Sequence, residues 1–173
     1  MLKTLLSAIL VLTTVYFTSC DKKDKPGNKD TYSPPSWIDY TGKAPFSVTY
    51  NDTDYVVDTT QSAGYQRLKV SVYEDGLNIY AYDYSEKFYM NVNVPVTARR
   101  GDEFDLVWQT TSFLSFSKII PGGTYPVHWS SSGKCFIVNN TDTEIEGYFY
   151  GDAVSAYATD TAKLRKGYFK LKK

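Results

Sequence analysis

The sequence is poor in the side chains that build metal centres and nucleophilic active sites. It contains two cysteines and one histidine among 173 residues, too few for a zinc site made of Cys and His ligands. Catalysis of the Ser–His or Cys–His type would have to use His128, and no G-x-S-x-G motif accompanies it. We therefore expect no metal, no cofactor and no enzymatic activity.

Charge of neither sign is in excess. Lysine and arginine together number 19, and aspartate and glutamate together also number 19. Proteins that bind nucleic acid or an anionic surface usually carry a marked positive excess. The composition therefore argues against a nucleic-acid partner and against membrane binding through a basic patch.

The chain also lacks an apolar run long enough to span a bilayer, which takes about 20 residues. Its apolar stretch at residues 5–17 follows a basic start at Lys3 and ends at the small residues Thr18 and Ser19, directly before Cys20. This order is typical of a secretory signal peptide. The junction resembles the lipobox of bacterial lipoproteins, which implies cleavage before Cys20 and acylation of its sulfur, palmitate included.

These features predict three segments. Residues 1–19 are the lipoprotein signal peptide, residues 20–44 are the lipidated Cys20 and a flexible polar tether, and residues 45–173 are a single antiparallel β domain. The lipid on Cys20 would anchor the protein to the bacterial outer membrane, on the periplasmic face or on the cell surface. Cys135 then has no disulfide partner and is expected to be a small buried hydrophobic residue.

Apolar and polar residues alternate over most of the chain after residue 45, as in half-buried strands. The clearest hairpin is centred on Asp75-Gly76, because Asp-Gly favours the type I′ turn. A turn there places Val72 opposite Ile79 and puts both on the core side.

Short strands separated by turn residues, with a further turn predicted at residues 130–133, favour an all-β fold. We expect an antiparallel β-sandwich or a flattened β-barrel. Pro95 cannot donate a ladder hydrogen bond, so it is expected at an edge.

Two segments near the C-terminus, IEGYF at residues 145–149 and GYF at residues 167–169, carry a family resemblance. They resemble the I-x-G-x-F … G-x-F ending of small Bacteroidota lipoproteins that belong to domain-of-unknown-function families. The resemblance implies a cell-envelope lipoprotein with an all-β domain and assigns no activity. Glycines inside strands indicate bulges or close backbone approach.

The hairpin gathers tyrosines on one side. Tyr80, Tyr82 and Tyr84, with Lys69, would form a ligand-binding face, since a tyrosine ring suits the CH face of a sugar and its hydroxyl suits the sugar hydroxyls. The alternative is that this side packs beneath a second sheet.

Two further groups of residues have a functional and a structural interpretation. Arg100, Gly101 and Asp102 spell RGD on a predicted turn, which suits an interaction loop, although turns favour Gly and Asp for backbone reasons alone. Glu144 and Glu146 share one side of a strand and could form the carboxyl pair of a glycosidase, or simply a solvated surface.

The sequence therefore predicts a non-catalytic binding or accessory module of the cell envelope, with a glycan or a protein as its ligand. The alternative is a structural or inhibitory envelope protein that acts through loops such as the RGD turn. An envelope hydrolase that uses Glu144 and Glu146 is the least favoured hypothesis.

Overall fold

Strands account for all regular secondary structure in the computed structural model, which describes residues 33–43, 45–57, 66–83, 88–118, 127–155 and 161–173. The predicted signal peptide and Cys20 lie outside these ranges. Within them, no helix is long and apolar enough to cross a membrane. The strands are β1 Phe46–Tyr50, β2 Thr53–Val57, β3 Gln66–Val72, β4 Gly76–Asp83, β5 Phe88–Pro95, β6 Glu103–Asp105, β7 Phe113–Lys118, β8 His128–Asn140, β9 Glu144–Val154 and β10 Thr161–Lys172.

The strands form one antiparallel sheet in the order β2-β1-β10-β9-β8-β7-β5-β4-β3, and β6 pairs with β8. The two ends of this sheet approach each other, because β3 lies beside β10 and β4 lies beside β2. The sheet is thus curled almost into a barrel, and the predicted all-β class, an antiparallel sandwich or flattened barrel, is confirmed.

The inner side of the curled sheet holds the hydrophobic core. Five fully buried phenylalanines link distant strands through ring contacts: Phe169 packs on Phe149, Phe149 on Phe46, Phe46 on Phe88, and Phe88 on Phe116, with centroids 5.5–6.4 Å apart. These rings join β10, β9, β1, β5 and β7 into one packed unit. Aromatic pairs at such distances add to the free energy gained by burial alone.

Glycines make this packing possible between β9 and β10. Gly147 pairs with Phe169, and Gly167 pairs with Phe149. A Cβ added at Gly147 would lie 2.5 Å from the Phe169 ring, and one added at Gly167 would lie 2.5 Å from the Phe149 ring. Each strand therefore gives up a side chain so that the phenylalanine of its neighbour can lie over the backbone. The repeated G-x-F pattern has this steric origin, as expected for close backbone approach.

Cys135 and His128 both lie in the interior. The Cys135 side chain is fully buried and free, and burial raises the pKa of its thiol, which keeps it protonated and unreactive. His128 is 4% exposed, and its ring centroid lies 6.0 Å from that of Phe116. The expectation that Cys135 behaves as a small buried hydrophobic residue is confirmed.

The β3–β4 hairpin turns one residue earlier than the sequence predicts. Val72 pairs with Leu77 and not with Ile79, and the Tyr73 N–H donates to the Gly76 carbonyl at 2.8 Å. The turn is therefore centred on residues 74 and 75. The register differs by two residues, so each side chain keeps its predicted side of the sheet. Val72, however, lies at the end of β3 and is 61% exposed, so it is not part of the core as predicted.

The position of Gly76 in the sheet explains why Asp75-Gly76 does not form the centre of the hairpin turn. The glycine belongs to β4, where a Cβ would lie 3.0 Å from the amide group of Asn93 on β5, and its φ is not positive. The absence of a side chain at Gly76 thus leaves room for the Asn93 side chain on the neighbouring strand. A type I′ geometry is found instead in the β1–β2 hairpin, where the central residues Asn51 and Asp52 have φ of 44° and 64°.

The turn predicted at residues 130–133 is wrong, because β8 runs without interruption through it. Gly133 has φ of 152°, and a Cβ there would collide with the backbone of Tyr150 on β9. A bulge between Ser130 and Ser132 absorbs the irregularity. Pro95 lies at the last position of β5, paired with Gly76 but beyond the end of the β7 ladder at Asn93, so only one of its sides is free of a neighbouring strand and β5 itself is an inner strand.

Residues 34–43, named here the strap, cross the outer side of β9 and β10. The Tyr40 hydroxyl donates to the Gly167 carbonyl at 2.8 Å, and burial raises the pKa of this hydroxyl. Gly42 lies so close to the Tyr168 ring that a Cβ there would overlap it. These residues fall within the predicted tether, yet Pro34–Lys173 is one compact unit.

The other end of the strap is held by a carboxylate. The Trp37 indole N–H donates to Glu103 Oε2 at 3.0 Å, and Lys134 Nζ lies 2.5 Å from Glu103 Oε1. The hydrogen bond from Lys134 is the main cause that lowers the pKa of Glu103, and Trp37 acts in the same direction against burial. The strap and β8 thus meet at one ionised group.

The first prediction concerns the packing of Gly167 against Phe149. Gly167→Ala should lower the free energy of unfolding by about 1–3 kcal/mol, because the added methyl group overpacks the core. Backbone conformation is not an obstacle, since the φ of Gly167 is not positive. The measurement is denaturant unfolding. In a Phe149→Leu background the same substitution should cost less, and an equal cost in both backgrounds would contradict the steric explanation.

The second prediction concerns pH. Because the pKa of Glu103 in the fold is below its unfolded value, its stabilisation is complete above an unfolded pKa of about 4.3 and is lost as pH falls through the folded pKa. Glu103→Gln should therefore cost about 0.5–1 kcal/mol near pH 7, and this cost should shrink as pH falls below the unfolded pKa of glutamate. Unfolding followed near pH 7 and below this pKa measures the change. Glu74→Gln, in the exposed β3–β4 turn, should show no comparable difference.

Candidate ligand-binding face

A row of chemically varied side chains crosses five neighbouring strands on the side of the sheet opposite the core. Direct cross-strand pairing joins Lys69 to Tyr80, Tyr80 to Asn91, Asn91 to Ser115, and Ser115 to Trp129. At about 4.8 Å per strand the row is roughly 19 Å long. The sheet thus places a cation, a phenol, an amide, a hydroxyl and an indole in line.

The middle of this row is recessed. Asn91, Ser115 and Ser117 are only 6%, 2% and 5% exposed, although they alternate with core residues and so point away from the core. Two polar atoms there, Asn91 Oδ1 and Ser117 Oγ, are buried without a hydrogen-bond partner. Buried polar atoms are nearly always paired, so each of these needs an explanation.

Tyrosines flank the recess on the β4 side. Tyr80 and Tyr82 are half-buried, and Tyr82 pairs directly with Tyr89 on β5. The rings of Tyr80 and Tyr89 meet edge to face with centroids 5.1 Å apart. Burial raises the pKa of Tyr89, against an opposing effect of Ser115. The phenol of Tyr89 therefore stays neutral and able to donate at any ordinary pH.

A cluster of larger rings flanks the recess on the β8 side. The rings of Trp108 and Trp129 lie with centroids 3.5 Å apart, and the ring of Phe113 meets Trp108 edge to face at 5.1 Å. The loop after β6 holds Trp108 in place, since its backbone N–H donates to the Ser130 carbonyl at 2.8 Å. Trp108 keeps 38% of its surface exposed.

We name these residues together the aromatic face. It consists of Lys69, Tyr80, Tyr82, Tyr89, Asn91, Trp108, Phe113, Ser115, Ser117 and Trp129. Its chemistry is that of rings, neutral hydroxyls and an amide around a polar floor. Such groups bind by stacking and hydrogen bonding, which is the usual construction of a small-molecule site.

The sequence predicts part of this face. Tyr80, Tyr82 and Lys69 lie together on it, and Lys69 pairs with Tyr80. Tyr84, the fourth predicted residue, lies outside the described residues. The sequence leaves open whether this face is exposed or packed beneath a second sheet. In the structure its tyrosines lie between these two alternatives, because Tyr80 and Tyr82 are half-buried.

Sequence reasoning missed Trp108, Trp129 and the floor residues Asn91 and Ser115. Alternation along β5 and β7 does put Asn91 and Ser115 on the outer side of their strands. The missing information is strand order, because β5 pairs with β7 and not with β6, which follows it in the chain. Only this pairing brings Asn91 beside Ser115.

The RGD residues form a tight turn whose groups already have structural partners. Gly101 has φ of 89°, which glycine adopts without strain. The Asp102 carboxylate accepts a hydrogen bond from the Arg99 N–H at 2.7 Å, and the Gly101 N–H donates to the Ile137 carbonyl at 2.8 Å. The predicted interaction loop therefore has its aspartate engaged in closing the turn.

Glu144 and Glu146 lie on one side of β9, as predicted, in an ion-pair network. Lys170 Nζ is 3.7 Å from Glu144 Oε1 and 3.1 Å from Glu146 Oε2, and the Tyr168 hydroxyl donates to Glu146 Oε1 at 2.8 Å. A shared cation and a phenol hold these carboxylates, as on a solvated surface. In the part of the chain that is described, no three His, Cys, Asp or Glu residues are grouped to hold a metal ion.

No protein-family model, no curated protein and no solved structure matches the chain. The aromatic face is therefore the feature of the molecule from which we infer a function.

Proposed function

We propose that this protein is a non-catalytic binding module that takes a neutral glycan on the aromatic face. The observation that carries the proposal is the pair of buried, unpartnered atoms Asn91 Oδ1 and Ser117 Oγ between two groups of aromatic rings. An orphaned buried acceptor costs roughly 1–3 kcal/mol. Both atoms are closed to solvent, so a ligand with hydroxyl donors would pair with them, and remove that cost, once the side chains above them move aside.

Carbohydrate chemistry fits the rest of the face. A pyranose offers an apolar CH face, which packs on an indole or phenol ring, and a rim of hydroxyls, which hydrogen-bond to amides and hydroxyls. The rings of Trp108 and Tyr80 stand at opposite sides of the polar floor formed by Asn91 and Ser115. The elongated row favours a chain of sugars over a single one.

The proposal includes the cellular setting expected from the sequence. We place the module in the cell envelope, anchored through acylated Cys20, with the aromatic face presented to glycans. What supports this is the order of basic, apolar and small residues before Cys20. A lipid anchor would keep a weakly binding module close to its ligand and raise the effective concentration.

The third prediction tests binding. The wild-type chain should bind at least one member of a panel of cellohexaose, laminarihexaose and mannohexaose, measured by isothermal titration calorimetry. Trp108→Ala should weaken that binding at least fivefold, which is about 1 kcal/mol. Tyr148→Ala removes an aromatic ring from the outer side of β9, under the strap, and should leave affinity unchanged.

A second variant separates binding from folding. Asn91→Leu replaces an amide whose oxygen is buried and unpaired with an apolar group of similar size, so it should not lower the unfolding midpoint, yet it should weaken binding at least fivefold. If no oligosaccharide binds, or if Tyr148→Ala weakens binding as much as Trp108→Ala, the glycan proposal fails. A protein ligand on the same face would then be the alternative to pursue.

The fourth prediction tests the anchor. Cys20→Ser should move the protein from the membrane fraction to the soluble fraction and abolish incorporation of labelled palmitate, because the acylated sulfur is lost. Cys135→Ser is the matched control and should change neither result, since that thiol is buried. Continued membrane association of Cys20→Ser would show that the anchor is elsewhere.

A further inference from the structure

The bulge in β10 has an unusual residue at its centre. Across the β9 ladder, pairing passes from Leu164–Gly151 to Gly167–Phe149, and across the β1 ladder it passes from Arg165–Thr49 to Tyr168–Ser47. Lys166 is left out of both ladders and has φ of 51°. A β-bulge commonly re-aims a side chain, and here the side chain is an ammonium.

Lysine is a costly choice for this conformation. A left-handed backbone suits glycine and costs other residues free energy. The following residue, Gly167, is already needed to accommodate the Phe149 ring, but nothing in the core packing requires a lysine at the exposed position 166. Strained residues of this kind concentrate at functional sites.

Three clefts of the surface meet at Lys166. Their volumes are about 180, 380 and 650 Å³, and Lys166 lines all three. The largest cleft also contains Lys163 and Arg165, and the middle one contains Arg165 with the rings of Trp37 and Tyr150. We name this region, defined by Trp37, Tyr150, Lys163, Arg165 and Lys166, the bulge cleft.

Positive charge predominates in the largest cleft. Lys163, Arg165 and Lys166 face it with Asp52 as the one carboxylate in its lining. Among the described residues, neither the Lys163 nor the Lys166 ammonium forms an ion pair. Both cations therefore have capacity for an external anion.

The Arg165 side chain is held in place by hydrogen bonds, and the neighbouring carboxylates of Asp152 and Asp54 already have partners. Its guanidinium donates to the Gly151 carbonyl at 3.0 Å and to Asp152 at 2.6 Å. Asp54, which lines the smallest cleft, accepts a hydrogen bond from Thr49 at 2.6 Å and lies 3.6 Å from Lys43 Nζ. Asp39 is exposed in the lining of the middle cleft.

Aromatic rings stand beside these cations. The rings of Trp37 and Tyr150 meet edge to face at 5.0 Å, and both line the middle cleft together with Arg165 and Lys166. A ligand there can place an anionic group on the lysines and an apolar ring face on the indole. Lysine binds phosphate and carboxylate as a point charge.

We propose that the bulge cleft is a binding site for an anionic sugar, whose phosphate or carboxylate group contacts Lys163 and Lys166 and whose ring packs on Trp37. This site lies on β10 and the strap, apart from the aromatic face, and takes a charged ligand where the aromatic face takes a neutral one. It does not depend on the function proposed above.

Calorimetric titration tests the proposal with glucose 6-phosphate, glucuronate, glucose and inorganic phosphate as probes. The protein is the full chain carrying Cys20→Ser, so that an acyl chain plays no part. We expect at least one of the two anionic sugars to bind more tightly than glucose and than phosphate, and the binding to weaken as salt is raised.

Lys166→Gly is the decisive variant, because it acts in opposite directions on folding and on binding. The unfolding midpoint should stay equal or rise, since glycine relieves the left-handed strain, whereas affinity for the anionic sugar should fall at least fivefold. Lys163→Gln should weaken binding similarly. Lys172→Gln, on the same strand outside the clefts, removes the same charge and should change neither quantity.

Several results would overturn the proposal: no binding of either anionic sugar, glucose binding as tightly as glucose 6-phosphate, or equal loss of affinity in Lys172→Gln. Binding to phosphatidylglycerol vesicles without binding to anionic sugars would also overturn it, and would identify the cleft as a lipid-headgroup contact.

Discussion

The close fit of each phenylalanine over the glycine of the neighbouring strand is the constraint on which this fold depends. Gly147 accommodates Phe169, and Gly167 accommodates Phe149. The two rings then continue through Phe46 into the rest of the core, so the contact between β9 and β10 connects the C-terminal strands to the first strand of the sheet. Because a single methyl group at either glycine would meet a ring at 2.5 Å, the short I-x-G-x-F … G-x-F pattern encodes a long-range packing arrangement rather than a chemical site.

Once the core is fixed on the inner side, the outer side of the same sheet divides into two regions. Over β9 and β10 the strap covers the surface, with Tyr40 bonded to the Gly167 carbonyl and Gly42 against Tyr168. Over β4, β5, β7 and β8 the aromatic face keeps small polar residues between large rings. In the first region the strap hydrogen-bonds to the sheet, whereas in the second region Asn91 Oδ1 and Ser117 Oγ are buried and unpaired. That difference is why we propose that the second region binds a neutral glycan.

The sequence predicts properties that depend on alternation and misses those that depend on distant neighbours. Side-chain alternation correctly places Val70 and Ile79 on the core side and Tyr80 on the outer side, and a register error of two residues leaves this unchanged. The turn itself is misplaced because the role of Gly76 is set by Asn93, a residue of another strand. The aromatic face is only half predictable for the same reason: Tyr80 is visible in the hairpin, but its alignment with Trp129 requires the order of four strands.

The most direct test of the account is to map ligand contacts on the sheet by ¹⁵N chemical-shift perturbation of the full chain with a neutral oligosaccharide. The division of the outer side predicts that shifts concentrate at the amides of Tyr80, Asn91, Ser115 and Trp129, on four adjacent strands. The amides of Tyr148 and Tyr168, which lie under the strap, should not move. Shifts centred on those tyrosines, or spread evenly over both regions, would contradict the assignment of binding to the aromatic face.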